Sequence, residues 1–251
     1  MRVAIVTGAS SGIGQAIAHR LEKEEGVDEL WLVARRAERL TALAERLTKP
    51  SRLFVADVTD RKIEGTVAAA LTEIHATVSY AVLAAGAGVI GDFDAIPEEE
   101  QSAIIDLNCR AQVTLLHALL PFLSRGARVI GIASAAAFCP QPGFAVYAAT
   151  KSFYLSFLRG VRTELRPRGV SVTAVCPGPV STEFFDIAER HTEMSGFKKA
   201  FFTTPERVAQ AAVRAAKRGR AVVTPSVMMK LFRVLSKILP HSLLCAIMGA
   251  K

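Results

Sequence analysis

The chain has 251 residues, 51% of them hydrophobic, so it can bury roughly 70 to 75% of its unfolded surface and needs no disulfide or metal to hold one core. A mean hydropathy of +0.30 excludes a disordered chain, while the longest apolar stretches, such as Leu243 to Met248, fall far short of the roughly 18 residues of a spanning helix. The net charge of +8 is uneven: residues 198–251 hold 11 Lys/Arg against the single acid Glu206, which describes a basic C-terminal quarter and not a general coat for nucleic acid.

In chain order, apolar runs of strand length alternate with stretches of helical period. Arg2 to Thr7 reads as a strand followed by a helix to about Glu25, Leu30 to Ala34 as a strand followed by a helix to Leu47, and Arg52 to Ala56 as a third strand. Tyr80 to Ala84, Arg128 to Ala133 and Val170 to Cys176 continue the series with helices between them, and Ala221 to Thr224 makes a seventh strand. Strands this continuously apolar need helices on both sheet faces. The pattern predicts an α/β fold: one doubly wound, Rossmann-type domain over residues 1–225 with a parallel seven-stranded sheet, followed by a helical tail over 226–251. The start, Met1 to Gly8, carries no secretory signal, so an intracellular, cytoplasmic protein is expected. Cys109, Cys139, Cys176 and Cys245 lie far apart, and His19, His75, His117, His191 and His241 lack ligand spacing, so no metal is expected.

Thr7-Gly8-Ala9-Ser10-Ser11-Gly12-Ile13-Gly14 sits where the first strand turns into the first helix, the place where a diphosphate can meet free backbone N–H groups and the positive helix end. Gly8 permits the tight turn, and Gly12 and Gly14 permit close approach. The end of the second strand would carry an acid in an NAD-binding chain; here Ala34 stands there, followed by Arg35 and Arg36, whose forks suit a 2′-phosphate. NADP(H) is therefore favoured over NAD(H), although two arginines at a helix start also suit plain solvation. Asp57, with Val58 after it, follows the third strand and either accepts from an adenine amino group or caps a helix.

Tyr147 and Lys151 stand four residues apart on one helix face. A nearby ammonium favours the phenolate, so Lys151 is expected to lower the Tyr147 pKa toward physiological pH and make the phenol a proton donor or acceptor. Ser134 ends the fifth strand at the carboxyl edge of the sheet, where ligands bind, so Ser134 and Tyr147 can bond one carbonyl oxygen.

These motifs, in this order, resemble those of short-chain dehydrogenases/reductases over residues 1 to about 225: Thr7 to Gly14, Asp57, Asn108, Ser134, Tyr147 with Lys151, and Pro177-Gly178 followed by Thr182. The resemblance implies a catalytic tetrad of Asn108, Ser134, Tyr147 and Lys151. In it Tyr147 exchanges the proton, Ser134 orients the substrate oxygen, Lys151 holds the nicotinamide ribose, and Asn108 fixes a relaying water. It also implies that Pro177, Gly178, Val180 and Thr182 grip the carboxamide, that a substrate lid lies at about 182–204, and that the chain is a homodimer or homotetramer. Two positions depart from the family pattern: Leu83-Ala84-Ala85-Gly86 stands where asparagines often precede the Ala-Gly, and Ser11 stands where many NADP-preferring members carry a base. Phosphate selection then rests on Arg35, with Arg36 and Ser10 in support.

Phe184, Phe185, Phe197, Phe201 and Phe202 crowd the lid segment, and Phe138 and Phe144 flank the stretch from Ala135. They read either as an apolar substrate surface, with Phe144 and Phe184 against Ser134 and Tyr147, or as ordinary core. Met228 to Ile238 sets Lys230, Arg233 and Lys237 against an apolar stripe, a basic amphipathic helix that packs on the body, pairs subunits, or makes a peripheral contact with an anionic membrane. The function expected is transfer of a hydride between NADP(H) and an apolar small-molecule carbonyl or alcohol. The competing reading is a non-catalytic NADP(H)-binding sensor or scaffold that uses the tail for contact.

Overall fold

The computed structural model describes residues 1–192 and 202–249. Strands β1 (Arg2–Thr7), β2 (Glu29–Ala34), β3 (Ser51–Val55), β4 (Thr77–Leu83), β5 (Leu123–Ile132), β6 (Ser171–Val175) and β7 (Val222–Val223) form one sheet, each pair parallel, in the order β3-β2-β1-β4-β5-β6-β7. The helices are α1 (Gly12–Leu21), α2 (Ala37–Ala44), α3 (Lys62–Glu73), α4 (Glu98–Ile105), α5 (Ala111–Leu119), α6 (Ala145–Leu165), α7 (Glu183–Ala188), α8 (Pro205–Lys217), α9 (Val227–Ile238) and α10 (His241–Gly249). A π-helical turn, Asp106–Arg110, joins α4 to α5.

The apolar strands bury both faces of the sheet. Val3, Ile5, Trp31, Val78 and Val129 point into one core with residues of α3, α5 and α6, while Ala4, Val6, Leu30, Leu32 and Ile130 point into the other with α1, α2 and α8. Adjacent residues of a strand face opposite sides, so the unbroken apolar runs are the direct cause of the three-layer arrangement. The order reverses between β1 and β4, which opens a crevice beyond their carboxyl ends.

The predicted seven-stranded parallel sheet is the one observed, with shifts at the ends. Helix α1 stops at Leu21 and the chain turns through Gly26 instead of continuing to Glu25. Strand β5 begins at Leu123, five residues early, because Gly126 at φ +87° lets the chain shift register against β4 and still pair Val78 with Leu123.

Candidate active site

The glycine turn is shaped for close approach. Gly8 and Gly12 take φ of +65° and +55°, where side chains are strained, and a Cβ on Gly14 would overlap the Gly8 carbonyl. Thr7 holds the next strand to this turn: its hydroxyl oxygen accepts from the N–H groups of Ala84 (3.0 Å) and Ala85 (3.2 Å). Gln112, on α5, donates to the Ala85 carbonyl (3.0 Å). The two side chains hold the exit of β4, where Leu83, Ala84 and Ala85 carry no side-chain hydrogen-bonding groups of their own. Ile13 packs into the core beneath the turn and Val58 into the opposite core.

The arginines separate. Arg36 reaches over the turn, donating to Ser10 Oγ (3.1 Å) and Ser11 Oγ (2.8 Å), and pairs with Glu183 (2.8 Å) of α7. Arg39 also bonds Glu183. Arg35 turns the other way, 3.5 Å from Asp57, whose other oxygen accepts from the Thr59 N–H and hydroxyl. Together these bonds hold the Asp57 carboxyl below its ordinary range against a burial cost that acts the other way. Ser11 therefore works as an anchor for Arg36, and Arg36, not Arg35, lies over the glycine turn. Arg39 and Glu183 carry no sequence signal of their own beyond the one-turn spacing of Arg39 from Arg36 and the place of Glu183 at the start of α7.

Beyond β5, Ser134 leads into a 3-10 turn (Ala135–Phe138); its side chain accepts from the Ala136 N–H, and the Ala135 N–H donates to the Pro177 carbonyl (2.8 Å). Helix α6 crosses above. Its buried positions Tyr147, Thr150, Lys151, Tyr154 and Leu158 follow helical spacing, and Gly131 on β5 leaves room for Tyr154 and Leu158 to press against the sheet. That contact sets Tyr147 and Lys151 over the end of β5. Ser134 faces the Tyr147 phenol closely enough to pull its pKa downward, and the Lys151 ammonium donates to the Ile132 carbonyl (3.1 Å) and lies 5.6 Å from the Tyr147 ring.

Asn108 sits in the π-helical turn, a geometry often found at functional positions. Its side chain accepts from the Ala87 N–H (3.1 Å) and donates to the Ala87 carbonyl (2.8 Å) and to Thr150 (3.0 Å), tying α6 to the chain leaving β4. Gly86 lies between: a Cβ there would stand 3.1 Å from both Asn108 Oδ1 and Lys151 Nζ. Ser134, Tyr147, Lys151 and Asn108 are thus brought together.

Burial dominates the electrostatics. It pushes the Tyr147 phenol up to about 12, with Ser134 pulling downward, and it lowers the Lys151 ammonium to about 8. Against the expected lowering toward neutrality, burial outweighs the pull of the neighbouring groups on Tyr147. The phenol is desolvated, and Lys151 is itself weakened by the same burial.

The Tyr147 ring is boxed by aromatics. Phe144 stacks on it at 4.2 Å and Phe184 tilts against it at 5.5 Å, with Phe185 and Phe202 continuing the row. Gly88 closes the side, since a Cβ there would come within 2.7 Å of the Tyr147 ring. Thr182 packs on Gly12, and buried Val180 pairs with Thr203 across a β-bridge. Pro177 and Gly178 lead from β6 toward them. Phe197 and Phe201 lie outside the described residues. Among the described residues no group of three His, Cys, Asp or Glu stands close enough to hold a metal.

The sequence model described as short chain dehydrogenase matches residues 2–193. The chain belongs to this family. It is 36% identical to sulfoacetaldehyde reductase 2 of Chromohalobacter salexigens over 191 residues, covering 72% of this chain and 74% of that one. It is also 36% identical to a serine 3-dehydrogenase of Agrobacterium fabrum over 188 residues, 72% of each. A short-chain dehydrogenase from Sphingobium yanoikuyae, solved in complex with NADPH, superposes with a TM-score of 0.80 at 27% identity, over 96% of this chain and 98% of that one. A second, from Burkholderia cenocepacia in complex with NADP, gives 0.76 at 26% identity, over 88% and 94%.

Proposed function

We propose that this short-chain dehydrogenase is an NADP(H)-dependent oxidoreductase of an apolar carbonyl/alcohol pair, with Tyr147 as the general acid/base. The observation that carries the reading is the convergence of Ser134, Tyr147 and Lys151 under the rings of Phe144 and Phe184 at the carboxyl edge of the sheet. The residues present fit a dinucleotide: Gly8 and Gly12 at positive φ, with Gly14 packed on the Gly8 carbonyl, bring the start of α1 close under the turn, and Ser10, Ser11 and Arg36 border it with donors. Arg36, supported by Arg39 and Arg35, supplies the charge that a 2′-phosphate needs, in keeping with the NADPH and NADP bound by the two structural relatives. NADP(H), when bound, supplies or accepts the hydride.

The chain's own residues do the rest. Backbone N–H groups of Gly12 to Gly14 receive the diphosphate at the start of α1. Ala84 to Gly86 form the floor, and Pro177, Gly178, Val180 and Thr182 the facing loop. Lys151 holds ribose hydroxyls and, protonated, counters charge developing on Tyr147. Ser134 donates to the substrate oxygen while Tyr147, which keeps its proton at neutral pH, gives it up as the oxygen becomes an alcohol. Asn108 keeps α6 and the loop after β4 in register. The side chains packed on Tyr147 are Phe144, Phe184, Ala136 and Ala148, so the wall suits an apolar group, unlike the charged, polar substrates in the names of the two sequence relatives.

The test follows NADPH consumption against apolar ketones, diketones, quinones and 3-oxoacyl thioesters, with Tyr147→Phe as the blank. Turnover by the wild type and its loss in the variant, with NADPH binding retained, is expected. Tight NADPH binding with no turnover of any substrate would replace the reductase by the sensor reading.

A further inference from the structure

Helix α9 turns its apolar side away from the body of the protein. At about 100° per residue, Val227, Leu231, Val234 and Ile238 fall within one narrow sector, and they are 78, 54, 53 and 71% exposed. The other side of the helix makes the contacts: the Phe232 ring lies 6.4 Å from Phe138, the Arg233 guanidinium sits 5.9 Å from the same ring, Ser236 is buried, and Met229 packs on Gly178. A helix of a soluble fold ordinarily covers the core with its apolar stripe. Here the mixed face does so, and the aliphatic stripe is left open; Leu243 and Ile247 of α10 are exposed as well. A contiguous exposed apolar patch marks an interaction surface.

Charge selects the occupant. Lys230 and Lys237 flank the stripe on one side, and α9 and α10 contain no acidic residue. Between α9 and α6 lies a cavity of about 140 Å³ whose cations are Arg159, Arg233 and Lys237. A second copy meeting this face about a two-fold axis would bring like residues together, lysine near lysine with no carboxylate to relieve them. A partner that is apolar at depth and anionic at its rim meets both demands, and a bilayer containing acidic lipids is such a partner.

We propose that α9 lies flat on an anionic membrane surface, its aliphatic stripe in the acyl boundary and Lys230 and Lys237 on lipid phosphates. No helix among the described residues is long and apolar enough to cross a membrane, so the contact is peripheral. It stands independently of the reductase reading. Because the inner face of α9 packs on Phe138 and Gly178, in the segments after β5 and β6, the docked helix and the wall of the crevice form one unit.

The experiment is co-sedimentation of the purified full chain with vesicles of phosphatidylcholine, or of equal parts phosphatidylcholine and phosphatidylglycerol, at low and high salt. Sedimentation velocity without lipid runs beside it. Two surface lysines imply roughly thirtyfold stronger partition onto the anionic vesicles, largely lost at high salt. Lys230→Gln with Lys237→Gln removes most of that preference, and Leu231→Glu with Ile238→Glu removes binding altogether. Lys230 and Lys237 are exposed and the lysine variant keeps the Met229, Phe232 and Ser236 contacts, so the test survives if the glutamate variant fails to fold. Equal binding to both vesicles, or to neither, overturns the proposal. So does a wild-type oligomer that the folded glutamate variant no longer forms, since the stripe would then be a subunit contact.

Discussion

Arg36→Ala probes the cofactor preference most directly. The Arg36 guanidinium holds Ser10, Ser11 and the Glu183 carboxylate at once, so an anion already occupies the place proposed for the 2′-phosphate. A charge-assisted hydrogen bond contributes about 1.5 to 3 kcal/mol when sheltered, and a half-exposed site brings this nearer to about 1 kcal/mol. Two such bonds to a phosphate come to about 2 kcal/mol, or about thirtyfold in Kd. Isothermal titration at neutral pH and low salt should find NADPH bound about thirtyfold more weakly by Arg36→Ala, with NADH nearly unchanged. Arg35→Ala, which loses a more distant contact to Asp57, should cost only a few-fold. Glu183→Gln runs the other way. It removes the carboxylate that a phosphate must displace from Arg36 and Arg39, and because that exposed pair contributes at most about 1 kcal/mol, NADPH should tighten by up to about fivefold. Equal losses for both cofactors in Arg36→Ala would refute the assignment, and weaker NADPH binding in Glu183→Gln would refute the competition.

Thr7→Val keeps the shape of the side chain but strands the Ala84 and Ala85 amides, a loss of about 2 kcal/mol for part-buried donors, to be read from the urea midpoint; a loss under about 0.5 kcal/mol would show that those amides find other partners. Lys151 carries a charge that folding disfavours. Its folded pKa of about 8 lies below the unfolded 10.5, so between those values the unfolded chain binds more protons and stability rises with pH, while below about 8 the full cost of roughly 3 kcal/mol persists. Lys151→Met should therefore raise the Tm of the cofactor-free protein at neutral pH, flatten its pH dependence from 8 to 10.5, and lose turnover. A lower Tm at neutral pH would mean that the bond to the Ile132 carbonyl outweighs desolvation.

The properties legible in the sequence are those written in one element at a time. Unbroken apolar strands require cover on both faces, and a glycine at a strand–helix turn declares backbone that must take positive φ or lie close to something, so β1, Gly8 and Gly12 could be read directly. Tyr147 and Lys151 share a helix face by spacing alone. What stayed hidden depends on direction between elements. Arg35 and Arg36 are equal as letters, yet neighbours at a strand end diverge, and only the folded chain shows that Arg36 turns to Ser10 and Ser11 while Arg35 turns to Asp57. Thr7 and Gln112 gave no sign of holding the β4 exit, because their partners are backbone groups of a segment about 80 residues away for one and 27 for the other. The environment of Tyr147 is hidden for the same reason: spacing reveals the cation, but the desolvation that pushes the phenol up is set by Phe144, Phe184 and the sheet beneath. Helix α9 makes the point most sharply. Its periodicity announces an apolar stripe, but a stripe points inward only if the body offers an apolar seat, and here Phe138 and Gly178 seat Phe232 and Met229 instead. The aliphatic side is thereby forced outward, which turns a packing pattern into a surface.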